Sequence, residues 1–280
     1  MRADDPSSPF GAGGPFFLIA GPCVLEGRDL NLRIARHVWA VSRRCGIPAY
    51  FKASFDKANR TSLGTPRGPG LAAGLELLRE VREEVGIPVL TDVHLPSQVE
   101  SVARVVDAVQ VPAFLSRQTD LLAAVGGCGR PVNLKKGQWM APEQMAHSVE
   151  KVRAAGAREV AVTERGNAFG YGRWVVDMRS FSILRESAGC PAVFDATHAV
   201  QMPGGEGRRS GGEPRFIEPL ARAAVAAGAD GLFLETHPRP GEAPSDGSNM
   251  LPAERLEPLL ESVLRVRESL GRSAGGGDTG

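Results

Sequence analysis

Residues 86–94 read GIPVLTDVH. Gly86 and Pro88 break whatever precedes them, a short apolar, β-branched run follows, and the run closes on two polar residues, Asp92 and His94. The pattern recurs along the chain. Apolar runs at 16–21 (FFLIAG), 49–53 (AYFKA), 88–93 (PVLTDV), 108–112 (AVQVP), 131–135 (PVNLK), 159–164 (EVAVTE), 192–196 (AVFDA) and 231–235 (GLFLE) predict eight strands. The intervening 30–45, 71–85, 142–155, 214–227 and 252–270 carry apolar residues at helical spacing. Pro142, Pro214 and Pro252 suit first helical turns, and Gly46, Gly86, Gly156 and Gly228 suit helix ends.

Eight strand-then-helix units predict an α/β fold, the closed (β/α)8 TIM barrel, as a single catalytic domain over residues 15–270. An open doubly wound sheet is the structural alternative, but it normally has fewer strands, and its GxGxxG turn is absent. The acidic, Ser/Pro/Gly-rich residues 1–14 read as a flexible N-terminal arm, unlike a secretory signal, and 271–280 as a flexible tail.

A net charge of +1 offers no global field for nucleic acid or a membrane surface. No apolar run approaches the roughly 18 residues of a membrane span. The four cysteines, Cys23, Cys45, Cys128 and Cys190, form no CxxC pair, which points to a reducing compartment, the cytoplasm. Lysine is scarce, five against 28 arginines, yet four of the five fall in FKASFDK and NLKKG. A compact ammonium is expected to matter there.

In such a barrel, function gathers where strands end. Cys23 follows the first strand, and Lys52, Lys57, Asn59 and Arg60 the second. Asp92 and His94 close the third, Gln110 and Arg117 the fourth, and Lys135 and Lys136 the fifth. Glu164 and Arg165 close the sixth, Asp195 and His198 the seventh, and Glu235 and His237 the eighth. Lys52, Lys57, Arg60, Arg117, Lys135 and Arg165 at one mouth suit two phosphorylated substrates, or a phosphate and a carboxylate. The bland alternative is ion pairing with Asp92, Glu164 and Asp195. Cys23, His198 and Glu235 end strands that become neighbours on closure, and Asp246 lies in the loop beyond. A thiolate, an imidazole and two carboxylates can hold a divalent metal ion, Zn, Fe or Mn. Cys23 by itself reads equally well as a small buried hydrophobe.

Longer stretches carry a resemblance: IAGPCVLE (19–26), FKASFDKANRTS (51–62), QVPAFLSRQTDLL (110–122), VNLKKGQ (132–138), TERGNAFGYG (163–172), FDATHAVQMPGG (194–205) and PSDGSNMLP (244–252). In these the chain resembles the 3-deoxy-D-manno-octulosonate 8-phosphate synthases. The resemblance implies a homotetramer that condenses phosphoenolpyruvate with D-arabinose 5-phosphate for lipopolysaccharide core synthesis. Cys in the GPC motif, where the metal-free class has Asn, implies the metal-dependent class, with Cys23, His198, Glu235 and Asp246 as ligands. It also implies that Lys57, Lys135 and Arg165 clamp phosphoenolpyruvate, with Lys52 and Gln110 nearby. Asn59 and Arg60 would hold the sugar phosphate, with Thr61 in place of the family's usual Ser, and Asp92 would contact the sugar. Cys23, His198, Asp246 and Lys135 form the implied catalytic set. Residues 203–214 resemble a mobile loop that closes over the site.

The nearest rival is a short metal-dependent 3-deoxy-arabino-heptulosonate 7-phosphate synthase using erythrose 4-phosphate, but its strand-2 loop tends to read Lys-Pro-Arg-Thr where this chain has Lys57-Ala58-Asn59-Arg60. A sialic acid synthase would usually carry an extra C-terminal domain. A catalytically silent scaffold would show gaps in the charged set.

Overall fold

A computed structural model describes residues 8–59, 64–169, 172–206 and 209–271. Eight parallel strands run β1 (Phe17–Gly21), β2 (Ala49–Lys52), β3 (Val89–Asp92), β4 (Ala108–Val111), β5 (Val132–Lys135), β6 (Val160–Glu164), β7 (Ala192–Asp195) and β8 (Gly231–His237). They pair in that order, and β1 pairs back with β8, from Phe17 opposite Gly231 to Gly21 opposite Glu235. The sheet is therefore a closed barrel, as the eight apolar runs predict.

Among the described residues, eight α-helices surround it: α1 (Arg28–Arg44), α2 (Leu71–Val85), α3 (Pro96–Ala103), α4 (Thr119–Gly126), α5 (Met145–Ala154), α6 (Ser180–Ala188), α7 (Ile217–Ala226) and α8 (Leu256–Ser269). The sequence pattern finds α1, α2, α5, α7 and α8. It misses α3, α4 and α6, which have only eight, eight and nine residues. About two turns are too few to establish a 3.6-residue period, and their stability comes from packing on the barrel. The opening segment behaves as read: Gly86 adopts φ +76°, closes α2 with its N–H on the Arg82 carbonyl at 3.1 Å, and leads into β3.

Alternation along the strands divides the apolar residues into two cores. Leu18, Ala20, Phe51, Val109, Leu134, Phe194 and Leu234 face outward and pack with the helices. Phe17, Ile19, Tyr50, Leu90, Ala108, Ala161, Val193 and Phe233 face inward and fill the barrel. Above them, Asn133 donates to Gln110 at 2.9 Å and accepts from Thr163 at 2.6 Å, so this inward polar layer satisfies itself. The next inward positions, at the C-terminal strand ends, carry the charged residues.

Two loops at the C-terminal strand ends carry short hairpins. The stretch that resembles a mobile closing loop includes an antiparallel pair, Gln201–Glu206 with Arg209–Gly212, after β7, with 207–208 outside the described residues. A smaller hairpin, Asn167–Ala168 with Trp174–Val175, follows β6. The N-terminal arm also differs from its reading. Phe10 is 1% exposed and belongs to the barrel-interior cluster. Its ring lies 5.3 Å from both Phe17 and Tyr50 and closes the N-terminal mouth. Polar composition around one aromatic had hidden this plug. Residues 1–7 and 272–280 lie outside the described set.

Phe10→Ala should therefore destabilise the protein by about 3 kcal/mol, the usual cost of a buried Phe truncation. Chemical denaturation would show it as a lowered midpoint with an unchanged slope. A midpoint equal to that of the unsubstituted protein would mean that the arm does not pack.

Candidate active site

The C-terminal mouth of the barrel holds two interlocked groups of side chains. The first is a thiol and two carboxylates. Cys23 lies two residues beyond β1, held by the Ser54 N–H, which donates to its carbonyl at 3.2 Å. Glu235 points inward from β8. Asp246 comes from the loop after β8, in a left-handed backbone conformation (φ 55°) that non-glycine residues seldom adopt. One ligand atom from each of Cys23, Glu235 and Asp246 lies within 4.8 Å of the other two. His198, in the short 3-10 turn after β7, stands beside this trio, with Nε2 3.7 Å from Glu235 Oε1. Its Nδ1 is 2.8 Å from Asp195 Oδ2. A carboxylate at Nδ1 favours the tautomer that leaves the Nε2 lone pair facing the trio.

The donor set suits a divalent cation. Glu235 is buried, and neither of its carboxylate oxygens has a hydrogen-bond partner among the described residues. Such orphaned anionic atoms are costly unless a cation approaches them. Burial, followed by Asp246 and Glu235, pushes the Cys23 thiol well above its ordinary range. It accordingly serves as a donor, its Sγ 2.9 Å from Asp246 Oδ2. A cation bound there would displace that proton.

The second group is cationic. Lys135 reaches Asp195 Oδ2 at 2.5 Å and lies 3.0 Å above the centroid of the Phe233 ring. Lys52 donates to Ser54 Oγ at 2.8 Å and is 3.6 Å from Asp92 Oδ1. Lys57 lies 3.9 Å from Glu235, which joins the two groups. Arg165 donates to Gln201 Oε1 at 3.3 Å, while its buried Nη1 has no partner among the described residues. An unpaired guanidinium nitrogen beside buried ammonium groups is a ready anion receptor.

The charges support one another. Burial opposes ionisation of Asp195, but His198, Lys135 and Arg165 hold its carboxyl well below the usual range. Burial likewise opposes the charge on Asp92, and Lys52 and His94 outweigh it. Lys57 is raised, because Cys23, Glu235, Asp92 and Asp246 outweigh the cost of burying it. Lys135 goes the other way: burial, aided by Lys52 and Arg165, pulls its ammonium down to about 7 despite Asp195.

The structure thus brings together Cys23, His198, Glu235, Asp246, Lys52, Lys57, Asp92, Lys135 and Arg165. Gln110 lies in the polar layer beneath them. Arg117 stands apart, exposed after β4 and without an ion pair among the described residues. Asn59 is exposed in the loop after β2, and Arg60 and Thr61 lie outside the described residues. Lys136 and Glu164 are a separate matter. They point away from the mouth, fully buried and 3.5 Å apart, and tie the loops after β5 and β6. For these two the ion-pairing alternative is the right one. Sequence reading missed Gln201, which donates to Asp246 Oδ1 at 2.7 Å as well as accepting from Arg165. A lone Gln three residues after a His carries no pattern that would have singled it out.

The chain belongs to the DAHP synthetase I family, whose model matches residues 5–271. Among its relatives, a 2-dehydro-3-deoxyphosphooctonate aldolase of Syntrophobacter fumaroxidans is 59% identical over 251 residues, 90% of this chain and 87% of its own. Proteins of the same name from Acidithiobacillus ferrooxidans and a Synechococcus strain are 55% and 52% identical. They cover 90% and 95% of this chain and 89% and 93% of their own.

Lys135 sets a pH dependence. With its ammonium at about 7, an anion that needs the charged form binds with proton uptake above that pH. The Kd of an anion such as inorganic phosphate should be flat below pH 7 as far as this group is concerned, and rise about tenfold per unit above it. Calorimetry in buffers of different ionisation enthalpy measures the uptake directly. Lys135→Arg, which does not titrate in this range, should lose it. Equal proton uptake in both proteins would mean that Lys135 does not hold the anion.

Proposed function

We propose that this protein condenses phosphoenolpyruvate with D-arabinose 5-phosphate and water to give 3-deoxy-D-manno-octulosonate 8-phosphate and inorganic phosphate, for lipopolysaccharide core synthesis. The observation that carries the reading is the juxtaposition, at one barrel mouth, of the Lys52, Lys57, Lys135 and Arg165 cations with the Cys23, Glu235 and Asp246 trio. The names of the relatives support the same chemistry.

In this reaction a bond forms between C3 of phosphoenolpyruvate and the sugar aldehyde carbon. Water adds its oxygen at C2, and phosphate leaves by cleavage of the C2–O bond. Two phosphorylated substrates repel each other. Lys57, Lys135 and Arg165 neutralise the phosphate and carboxylate of phosphoenolpyruvate and fix its face. Lys52 and Gln110 line the same pocket, and Asp92 accepts from the sugar. Arg60 and Asn59, with Thr61, hold the sugar phosphate, whereas Arg117, exposed and apart from the mouth, is left out of the set. Asp195 keeps Lys135 and His198 oriented. Cys23, His198, Glu235 and Asp246 would hold a divalent ion, Zn, Fe or Mn, which when bound would supply Lewis-acid chemistry. No helix among the described residues is long and apolar enough to cross a membrane. The four cysteines are free, which suits a reducing cytoplasm.

Phosphate release, assayed with each aldose phosphate and with exhaustively chelated protein, tests this. Arabinose 5-phosphate should be turned over and erythrose 4-phosphate poorly, and activity should vanish on chelation and return with Mn²⁺ or Zn²⁺. Preference for erythrose 4-phosphate would transfer the reading to the seven-carbon reaction. Full activity without metal would remove the metal from it.

We read the active form as a homotetramer. Phe114 and Trp139, each 54% exposed, stack at 5.8 Å and 13° on the loops after β4 and β5, and Phe169, 70% exposed, projects from the loop after β6. Exposed aromatics grouped on neighbouring loops are the usual mark of a protein contact. Light scattering should give four times the 29.7 kDa chain mass, and Phe114→Ser with Trp139→Ser should reduce it. A monomeric mass for the unsubstituted protein would overturn the reading.

A further inference from the structure

We propose that Gln201 is a positioning residue that couples the cation site to the phosphoenolpyruvate clamp. This rests on the functional reading above and extends it to a residue that neither the motifs nor the charge pattern single out.

The side-chain amide of Gln201 lies between one residue of each group. Nε2 donates to Asp246 Oδ1 at 2.7 Å, and Oε1 accepts from Arg165 Nη2 at 3.3 Å. Its orientation is not open to choice. A carboxylate can only accept and a guanidinium can only donate, so a flipped amide would lose both bonds. The backbone is held as well. The Gln201 N–H donates to the His198 carbonyl, and Gln201 pairs with Gly212 across the root of the hairpin. Gly212 lies so close to the Asp246 loop that an added Cβ would sit 2.6 Å from Asn249 Cβ and 2.7 Å from the Ser248 carbonyl oxygen. No side chain fits there, and the root of the hairpin is seated against the segment that presents Asp246.

The consequence is a short mechanical and electrostatic link. Among the described residues Asp246 accepts three side-chain hydrogen bonds: from Cys23 Sγ and Ser245 Oγ at Oδ2, both at 2.9 Å, and from Gln201 at Oδ1. A cation that draws Asp246 into its coordination shell fixes the carboxylate plane. It therefore fixes the amide that holds one Arg165 nitrogen and leaves Nη1, which has no hydrogen-bond partner among the described residues, free for an anion. In the reverse direction, an anion that orders Arg165 orders Gln201 and Asp246 before the cation arrives. Such coupling is necessarily reciprocal.

The test measures that coupling and not activity. For metal-free and Mn²⁺-loaded full-length protein, the Kd of phosphoenolpyruvate is measured by calorimetry, and the ratio of the two values is the coupling. The Kd of Mn²⁺ with and without phosphoenolpyruvate gives the same ratio independently. Direct attraction between ion and anion contributes to it in every variant. Gln201→Met, similar in length but without hydrogen-bonding groups, should shrink the ratio about fivefold, within the usual range for coupled sites. An unchanged ratio, even with both affinities altered, would mean that Gln201 is merely structural and overturn the proposal. Should Gln201→Met lack a cooperative thermal transition, Gln201→Asn, one methylene too short to span both partners, is measured the same way with the same expectation. If the unsubstituted protein binds no Mn²⁺, the metal reading itself falls and this proposal with it. Metal binding with an unaltered ratio sinks this proposal alone.

Discussion

The pairing of β1 with β8 closes the barrel, and the functional mouth is built by that closure. Gly21 lies opposite Glu235 across the seam. Cys23 follows Gly21 by two residues, so the thiol and the carboxylate, 212 positions apart, meet because the first and last strands do. Thr236 then pairs in parallel with Leu251, which turns the intervening loop back and returns Asp246 to the same seam. A sheet left open at this edge would separate Cys23 from Glu235 and expose two rows of unpaired backbone groups.

Strand alternation, once the ring is closed, distributes everything else. Every second side chain must enter the barrel, whatever its chemistry. Low in the barrel these are Phe17, Ile19, Tyr50 and Leu90, sealed from below by Phe10. At the top they are Lys52, Asp92, Lys135, Asp195 and Glu235, all buried. Burial that would be prohibitive for one charge is tolerable for a set of alternating sign, because each group is within reach of its opposite. The arrangement is still incomplete on its own. Among the described residues, Glu235 and Arg165 retain atoms of opposite sign without a hydrogen-bond partner, the former suited to a cation and the latter to an anion. A site that binds both together would satisfy both.

The ion pairs among the charged residues divide by position. Lys136 and Glu164 face away from the mouth and act on the scaffold. Lys52, Lys57 and Lys135 have carboxylate partners too, yet these pairs sit at the mouth, where an incoming anion can compete for the ammonium groups. Adjacent residues such as Lys135 and Lys136 separate into the two roles because the strand places their side chains on opposite faces.

Much of this was legible without coordinates. Period-two patterning over four or five residues, punctuated by Gly and Pro, is a local signal, so all eight strands and their polar ends could be read from residues 16 to 237. Helices of 15 and 17 residues were legible for the same reason, whereas α3, α4 and α6 were too short to show a period. Cys23, His198 and Glu235 became candidates through residue type and position at strand ends, and Asp246 through the loop beyond the last strand and the family resemblance. The sequence by itself determined the barrel and the chemical content of its mouth, because strand alternation and residue chemistry are properties of neighbours along the chain. Only the tertiary structure decided which charges are partners, that Phe10 plugs the far end, and that Gln201 bridges Asp246 and Arg165. Those are contacts at ångström range between residues tens of positions apart, and no periodicity along the chain encodes them.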